Sequence, residues 1–579
     1  MKDKRNEPSM KTSRTPVKYN LGIPVGKLVQ GIIFLLLCIV LLVVEIRYHH
    51  AKPGEAAIAQ QEAEQEEAVK SFEAYATAQT EPGNLINEQT IIVNGEAVES
   101  YVSPYAMEFG RPEDYFALPG IAAFRGNNYR NGASYGTANV ANGEANIVWQ
   151  KETSALQAPD GNVWTGSGWT GQPLIAQWPL EQRQSFSYMY DWAKTQETLT
   201  EVIYATMDGY VYFLELETGK PTRDPLFLGF TFKGAGSLDP RGWPILYVGA
   251  GYESSRGAGR VLVVNLCDGT IMYEFGAADG YANRTWSMYD ASPLYYEEGD
   301  ELIYPGENGL LYIIQLNTSY NMEEGIVGIA PDEPVRWRYN GVRTGDKFWV
   351  GVEASPVIWT HYLYMADNGG NLMCMDLRTL KLVWVQDVLD DTNCTPVLEC
   401  EDGHPYLYIS TSFHAGWRAA ENSTATIPVW KIDALSGEVV WQHDYTCFTQ
   451  SGVSGGVQGT MALGKNDLKD LVFVPVSRCG DQASAGVLAA LNKKTGETVW
   501  EFPTVIYSWS SPVDFYDENG KGYLIYCTSG GFLYLLDGAT GEKLASIDLD
   551  GNIEASAAMF NDMVVVGHRS QRIFGIKIS

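Results

Sequence analysis

The sequence predicts an all-β fold, an eight-bladed β-propeller of four-stranded blades preceded by one transmembrane helix. Three observations predict it: a strand–turn–strand unit that recurs eight times, a composition rich in aromatics and glycine, and one uncharged apolar run near the N-terminus. Among 579 residues there are 34 Tyr, 16 Trp and 59 Gly, and aromatic strands punctuated by glycine turns read as β structure. Hydrophobic residues make up 45% and charged residues 19%, a globular balance rather than a disordered one.

The repeat carries the fold prediction. Each copy is a short aromatic or branched strand, a glycine-containing turn and a second strand, then a turn often ending in Thr-Gly. The copies begin at Val202, Ile245, Leu302, Tyr362, Tyr406, Leu471, Tyr523 and Met563. A further strand precedes most of them, marked by a small residue, Pro and an apolar pair, as in Ser292-Pro293-Leu294, Ser355-Pro356-Val357, Thr395-Pro396-Val397 and Ser511-Pro512-Val513. A fourth follows the Thr-Gly turn and often holds Trp, as in LVWVQD, VVWQHD and TVWEFP. Four strands at a period of roughly 40 to 60 residues make one propeller blade. A lone blade cannot bury both faces, so blades must stack around an axis. The last copy ends after its third strand, and Ile147-Val148-Trp149-Gln150 reads as a fourth strand without a blade. Pairing the two would close the ring and remove an open edge.

Residues 28–44, LVQGIIFLLLCIVLLVV, contain no charge and reach roughly 25 Å as a helix. Lys27 and Arg47 flank the run, and Lys and Arg snorkel at membrane ends. Residues 1–27 carry seven basic groups against two acidic ones, so the expected arrangement is a cytoplasmic basic tail (1–27), a membrane helix (28–46) and an extracytoplasmic remainder. A cleaved signal peptide is the alternative; its n-region would be unusually long, and Gly54-Glu55-Ala56 leaves cleavage open. Residues 47–117 read as a polar stalk with one short strand pair around Asn94-Gly95, and 118–579 as the propeller.

Beyond residue 27 the chain holds 34 basic and 68 acidic residues. A body this acidic repels phosphate backbones, which excludes nucleic acid as the expected partner. Eight cysteines, Cys38 among them in the apolar run, show no CxxC spacing and no disulfide framework. Most read as small buried hydrophobes in strands.

The stretches Ile432 to Trp441 (IDALSGEVVW) and Leu491 to Trp500 (LNKKTGETVW) resemble the repeats of the pyrroloquinoline-quinone (PQQ)-like propeller family, of the membrane-anchored bacterial type. The opening FRGNNYRNG, Phe124 to Gly132, is similar to segments that precede the first blade in that family. The resemblance covers about residues 118–579. It implies that Trp384, Trp441 and Trp500 dock between adjacent blades. The family includes both quinone-dependent dehydrogenases and cofactor-free scaffolds; the dehydrogenases typically carry a vicinal Cys-Cys pair, which this sequence lacks.

Residues just before a blade's first strand lie near one mouth of the central channel. Asp290, Glu353, Asp391 and Glu554 hold such positions, and converging carboxylates there could bind a cation, an amine or a basic peptide group. The alternative is that they accept backbone hydrogen bonds in turns. No catalytic set and no metal-ligand spacing stands out, and the seven His are scattered. The expected function is therefore an extracytoplasmic binding or scaffolding module for a protein or cell-wall partner, with no cofactor. Two alternatives remain: a dehydrogenase using PQQ and calcium, and a carbohydrate-binding propeller using Trp164, Trp169, Trp178 or Trp192.

Overall fold

The computed structural model describes residues 72–579, except Thr170, 343–348, 414–419, Glu421, 450–453 and Asp481. The basic tail, the expected membrane helix 28–46 and the first part of the stalk lie outside the described residues. Among the described residues no helix is long and apolar enough to cross a membrane.

Eight antiparallel sheets follow one another along the chain. Blade 1 holds Leu174–Gln177, Thr200–Ala205, Tyr210–Glu215 and Leu226–Phe227, and blade 2 holds Ser237–Leu238, Ile245–Gly249, Val261–Asn265 and Ile271–Phe275. Blade 3 comprises Leu294–Tyr296, Glu301–Pro305, Leu310–Gln315 and Val335–Gly341; blade 4 comprises Val357–Trp359, Tyr362–Ala366, Asn371–Asp376 and Lys381–Asp387. Blade 5 runs Val397–Glu401, His404–Ser410, Thr424–Asp433, Val439–Phe448, and blade 6 runs Ala462–Leu463, Leu471–Ser477, Gly486–Asn492, Thr498–Thr504. Blade 7 is Val513–Tyr516, Gly522–Cys527, Phe532–Asp537, Lys543–Asp548. Blade 8 is Ala558–Phe560, Met563–His568, Arg572–Ile578 and, from the other end of the propeller, Ala145–Glu152.

That last pairing closes the ring as the repeat count requires: Phe574 opposes Gln150 and Gly575 opposes Trp149. Burial explains why the repeat was readable. The second strand of every blade lies between two neighbouring sheets, so Ile245–Gly249, Tyr362–Ala366 and Met563–His568 are buried at every position. Such strands read as continuous apolar runs bounded by turns. Outer strands alternate instead, as in Val439–Phe448.

The Trp of the fourth strand sits beside a register shift. Trp384 opposes Cys374, Trp441 opposes Lys431, Trp500 opposes Ala490 and Trp149 opposes Gly575, each with a bulge at the residue before the Trp. A bulge re-aims the side chain next to it. Each indole then donates to a backbone carbonyl of the following blade: Trp384 to Ala434 O (3.0 Å), Trp441 to Lys493 O (2.8 Å), Trp500 to Gly538 O (3.1 Å) and Trp149 to Leu216 O (2.8 Å). The turn glycine receives the ring face, since a β-carbon on Gly437 would stand 2.6 Å from Trp384 Cε3.

Residues 72–117, assigned to the stalk by composition, form part of the same compact unit as the propeller. Ile86–Val93 adds to the outer edge of blade 3, with Ile91 opposite Trp337, and Glu96–Val98 pairs beyond it. Asn94 (φ 52°) and Gly95 (φ 78°) make the hairpin turn, both left-handed as a two-residue loop of this kind demands. Upstream, Tyr75 N–H donates to Leu435 O and the Phe72 ring meets His404 edge-on. Apolar side chains such as Ile86 and Ile91, both buried, are what draw this segment onto the blades.

Glu301, opening the second strand of blade 3, is buried with Oε2 unpartnered, and burial pushes its carboxyl from 4.5 up to about 7. The folded state therefore holds a proton that the unfolded chain releases between these values, and the resulting stability is lost as pH rises through 7. Glu301→Gln removes this dependence. In denaturant titrations at pH 4.5 and 8, wild type should lose about 2–3 kcal/mol relative to the variant; parallel pH profiles would refute the assignment.

Candidate functional site

The channel is built from the first strands and their lead-in residues. A proline fits the start of a strand whose outward N–H faces no neighbour, and the small residue before it supplies a hydroxyl. These hydroxyls, joined by those of Thr460 before Met461 and Ser556 before Ala557, form a chain around the axis: Ser292 N–H donates to Ser355 Oγ (2.9 Å), Ser355 N–H to Thr395 Oγ1 (3.0 Å), and Thr395 N–H to Thr460 Oγ1 (3.1 Å). Thr460 N–H then donates to Ser511 Oγ (2.9 Å), and Ser511 N–H to Ser556 Oγ (3.2 Å). Blades 3 to 8 are thereby linked edge to edge at the centre.

The segment Phe124–Gly132 lies across this axis as a plug. Arg130 donates from Nε to Pro356 O (2.8 Å), from Nη1 to Phe124 O (3.0 Å) and from Nη2 to Ser292 O (2.8 Å). Arg125 donates to Pro512 O (2.9 Å) and to Arg130 O (3.0 Å). Asn131 reaches Leu398 O, and Leu398 N–H donates to Tyr129 O. One short segment thus touches blades 3, 4, 5 and 7. Both guanidiniums are fully buried, and burial pulls each down to about 10, so both stay charged at neutral pH, stabilised by carbonyl dipoles.

Beside the hydroxyl chain, on the face that carries the lead-in connectors, lies a polar cluster. Four antiparallel strands in sequence place the lead-in connectors and the turns between second and third strands on one face. Asp290 and Glu353 enter from connectors of blades 3 and 4, Asp391 from that of blade 5, and Glu307 from the second turn of blade 3. Lys233 Nζ bonds Asp290 Oδ2 at 3.2 Å. Arg284 donates to Asn368 Oδ1 (2.8 Å), and Asn368 donates in turn to Asp391 Oδ1 (2.7 Å). Asn393 donates to the other Asp391 oxygen at 3.0 Å.

Burial raises the Asp290 carboxyl, with Lys233 pulling against it. Glu307 stands well above the usual carboxylate range, through burial and then the repulsion of Glu353 and Asp290. Glu353 is raised by burial and by Asp391. Burial works against the Lys233 charge, but Asp290, Glu307 and Glu353 together hold it above its ordinary value. Four carboxyl groups therefore share two cations, and Asp290 Oδ1 and Glu307 Oε1 are buried without a hydrogen-bond partner.

The structure brings Asp290, Glu353 and Asp391 together and leaves Glu554 apart. Glu554 pairs with Arg569 at 3.0 Å and accepts from Asn552. Sequence reasoning missed Glu307, Lys233 and Arg284, which sit on turns with no motif around them. Of the four Trp weighed as sugar platforms, Trp178 is buried against Glu201, Trp169 donates to Gln458 O, Trp164 tilts against Tyr252 and Trp192 is covered by Lys220.

A calcium–quinone centre requires oxygen ligands converging on an open cation position. Among the described residues no three His, Cys, Asp or Glu side chains are placed to hold a metal ion, and Lys233 and Arg284 already stand among the channel carboxyls. The residues at the mouth do not fit that group.

The family model described as outer membrane protein assembly factor BamB matches residues 335–504, which span the end of blade 3 to the end of blade 6. The fold is an eight-bladed β-propeller, and the match to that family lies within it. Among solved structures, this propeller matches quinohemoprotein alcohol dehydrogenase from Comamonas testosteroni with TM-score 0.50 and 12% identity, over 82% of this chain and 83% of that one. Quinohemoprotein alcohol dehydrogenase ADHIIG from Pseudomonas putida HK5 matches with TM-score 0.52 and 10% identity, again over 82% and 83%. BamB from Moraxella catarrhalis matches with TM-score 0.41 and 14% identity, over 74% of this chain and 98% of that one. No curated protein matches the sequence. At such identities the likeness describes the fold, and function rests on the site.

Proposed function

We propose that this PQQ-repeat propeller is a membrane-anchored docking module, held outside the cytoplasm, whose channel mouth receives a cationic group of a protein partner. The observation that carries the reading is the mouth cluster: four carboxyls to two cations, two of their oxygens unpartnered, above an axis plugged by Phe124–Gly132. A plugged axis leaves a recess rather than a passage, and a cation brought from outside would stabilise the charged form of carboxyls that burial and mutual repulsion now hold high. The matched family's description as an assembly factor agrees with a role in handling other proteins.

The entry of the chain supports the same reading. Phe72 and Tyr75 contact His404, which opens the second strand of blade 5 beside its first turn, and Leu435, on the turn between third and fourth strands. Those turns lie on the face opposite the mouth, so residues 72–75 do not cover it.

The test uses the full-length protein in detergent and a fluorescent lysine- and arginine-rich peptide, read by anisotropy at physiological salt. The double variant Asp290→Asn, Glu353→Gln should bind at least about tenfold more weakly. A control, Glu497→Gln with Glu542→Gln, removes two exposed charges from turns of the opposite face and should bind as wild type. Equal loss in both variants would reduce the effect to net charge and overturn the proposal.

A further inference from the structure

The cysteines were read from sequence as unpaired, and all seven described ones are free thiols. Two of them nevertheless stand opposite one another across a blade boundary. Cys447 is the last residue but one of the outer strand of blade 5, and Cys479 follows the second strand of blade 6. They form an isolated antiparallel bridge, and Phe448 N–H donates to Arg478 O at 2.8 Å. That bond, running from the residue after Cys447 to the residue before Cys479, marks the two cysteines as a non-hydrogen-bonded pair. Residues so opposed have Cα atoms about 4.5 Å apart with side chains on the same side, which lies inside the range of about 4.4–6.8 Å that a disulfide spans.

We propose that Cys447 and Cys479 are a disulfide site that staples blade 5 to blade 6. Among the described residues adjacent blades share no continuous ladder, and the backbone bridges between blades 5 and 6 are Cys447 to Cys479 and Ser412 to Gly456. A covalent link at this point joins two sheets held mainly by side-chain packing. The remaining five cysteines offer no such juxtaposition among the described residues: Cys267, Cys374, Cys394 and Cys527 are buried in strands or turns of different blades, and Cys400 faces the Tyr129 hydroxyl at 3.8 Å.

The chemistry is thiol–disulfide exchange with a low-molecular-weight disulfide as oxidant. Cys479 is the partly exposed member, and Cys447 is buried. Hydrogen bonding between the thiols lowers Cys479 and raises Cys447, so Cys479 is the attacking thiolate. It attacks one sulfur of the oxidant and expels one thiolate. The Cys447 sulfur, losing its proton, then attacks Cys479 Sγ and expels the second thiolate. Two cysteine thiols are oxidised to one disulfide, and the oxidant is reduced to two thiols that take up the two protons. The site is independent of the cationic-partner reading and does not use the mouth cluster.

The experiment treats reduced, folded full-length protein with oxidised glutathione, quenches with acid, and counts thiols after denaturation. The expected count falls from the eight cysteines of the chain to six, with a non-reduced proteolytic map showing one linked pair, Cys447 to Cys479. The melting temperature should rise on oxidation in wild type and not in the Cys447→Ser, Cys479→Ser variant. Eight remaining thiols, a stable glutathione adduct on Cys479, or a linkage between any other cysteines would each overturn the proposal.

Discussion

Arg130→Met should lower the stability of the folded protein by about 3–5 kcal/mol, the cost of leaving a buried polar site without its partner. The side chain is the hub of the axial plug, donating to carbonyls of Phe124, Ser292 and Pro356. Methionine fills much of the volume yet donates nothing, so three buried carbonyls lose a partner at once. Arg130→Lys keeps the charge but replaces a planar fork by a point donor that cannot reach three diverging acceptors. It should recover less than half of the loss. Calorimetric unfolding of the three proteins checks this ordering; a Met variant as stable as wild type would show that the plug is held by packing alone.

The second large effect is expected at the blade boundaries. Trp384→Ala removes a fully buried indole, its bond to Ala434 O and its stacking on Gly437, and should cost about 3–5 kcal/mol. Gly437→Ala attacks the same joint from the other side. Its φ of 72° disfavours any side chain, and the new methyl would stand 2.6 Å from the indole. Because both substitutions break one contact, the double variant should be less destabilised than the sum of the two singles. Denaturant unfolding of the four proteins measures the coupling; strict additivity would separate the Trp from the glycine and sink the account of the joint.

The same joints show how far sequence could go. The Trp positions and turn glycines were readable because each is a local pattern at constant spacing, recurring at the four joints where Trp149, Trp384, Trp441 and Trp500 meet Gly219, Gly437, Gly496 and Gly541. The strand count was readable because second strands buried on both faces leave unbroken apolar runs. Segment 72–117 was not, since its polar composition hides the few apolar residues, Ile86 and Ile91 among them, that seat it against blade 3. The mouth cluster was half legible. Asp290, Glu353 and Asp391 precede recognisable strand starts, whereas Glu307 and Lys233 lie on connections whose residues no motif constrains. Glu554 occupies an equivalent sequence position but meets Arg569, a partner supplied by its own blade.

Local pattern by itself determined the all-β class, the eight repeats and the closing strand at Ile147 to Gln150, because strand periodicity and turn chemistry act between residues near in sequence. Only the tertiary structure decided what fills the axis, which carboxyls converge and that Cys447 faces Cys479. Those contacts join residues from different blades, and their geometry follows from the order and stacking of sheets around a ring, which no short window of sequence encodes.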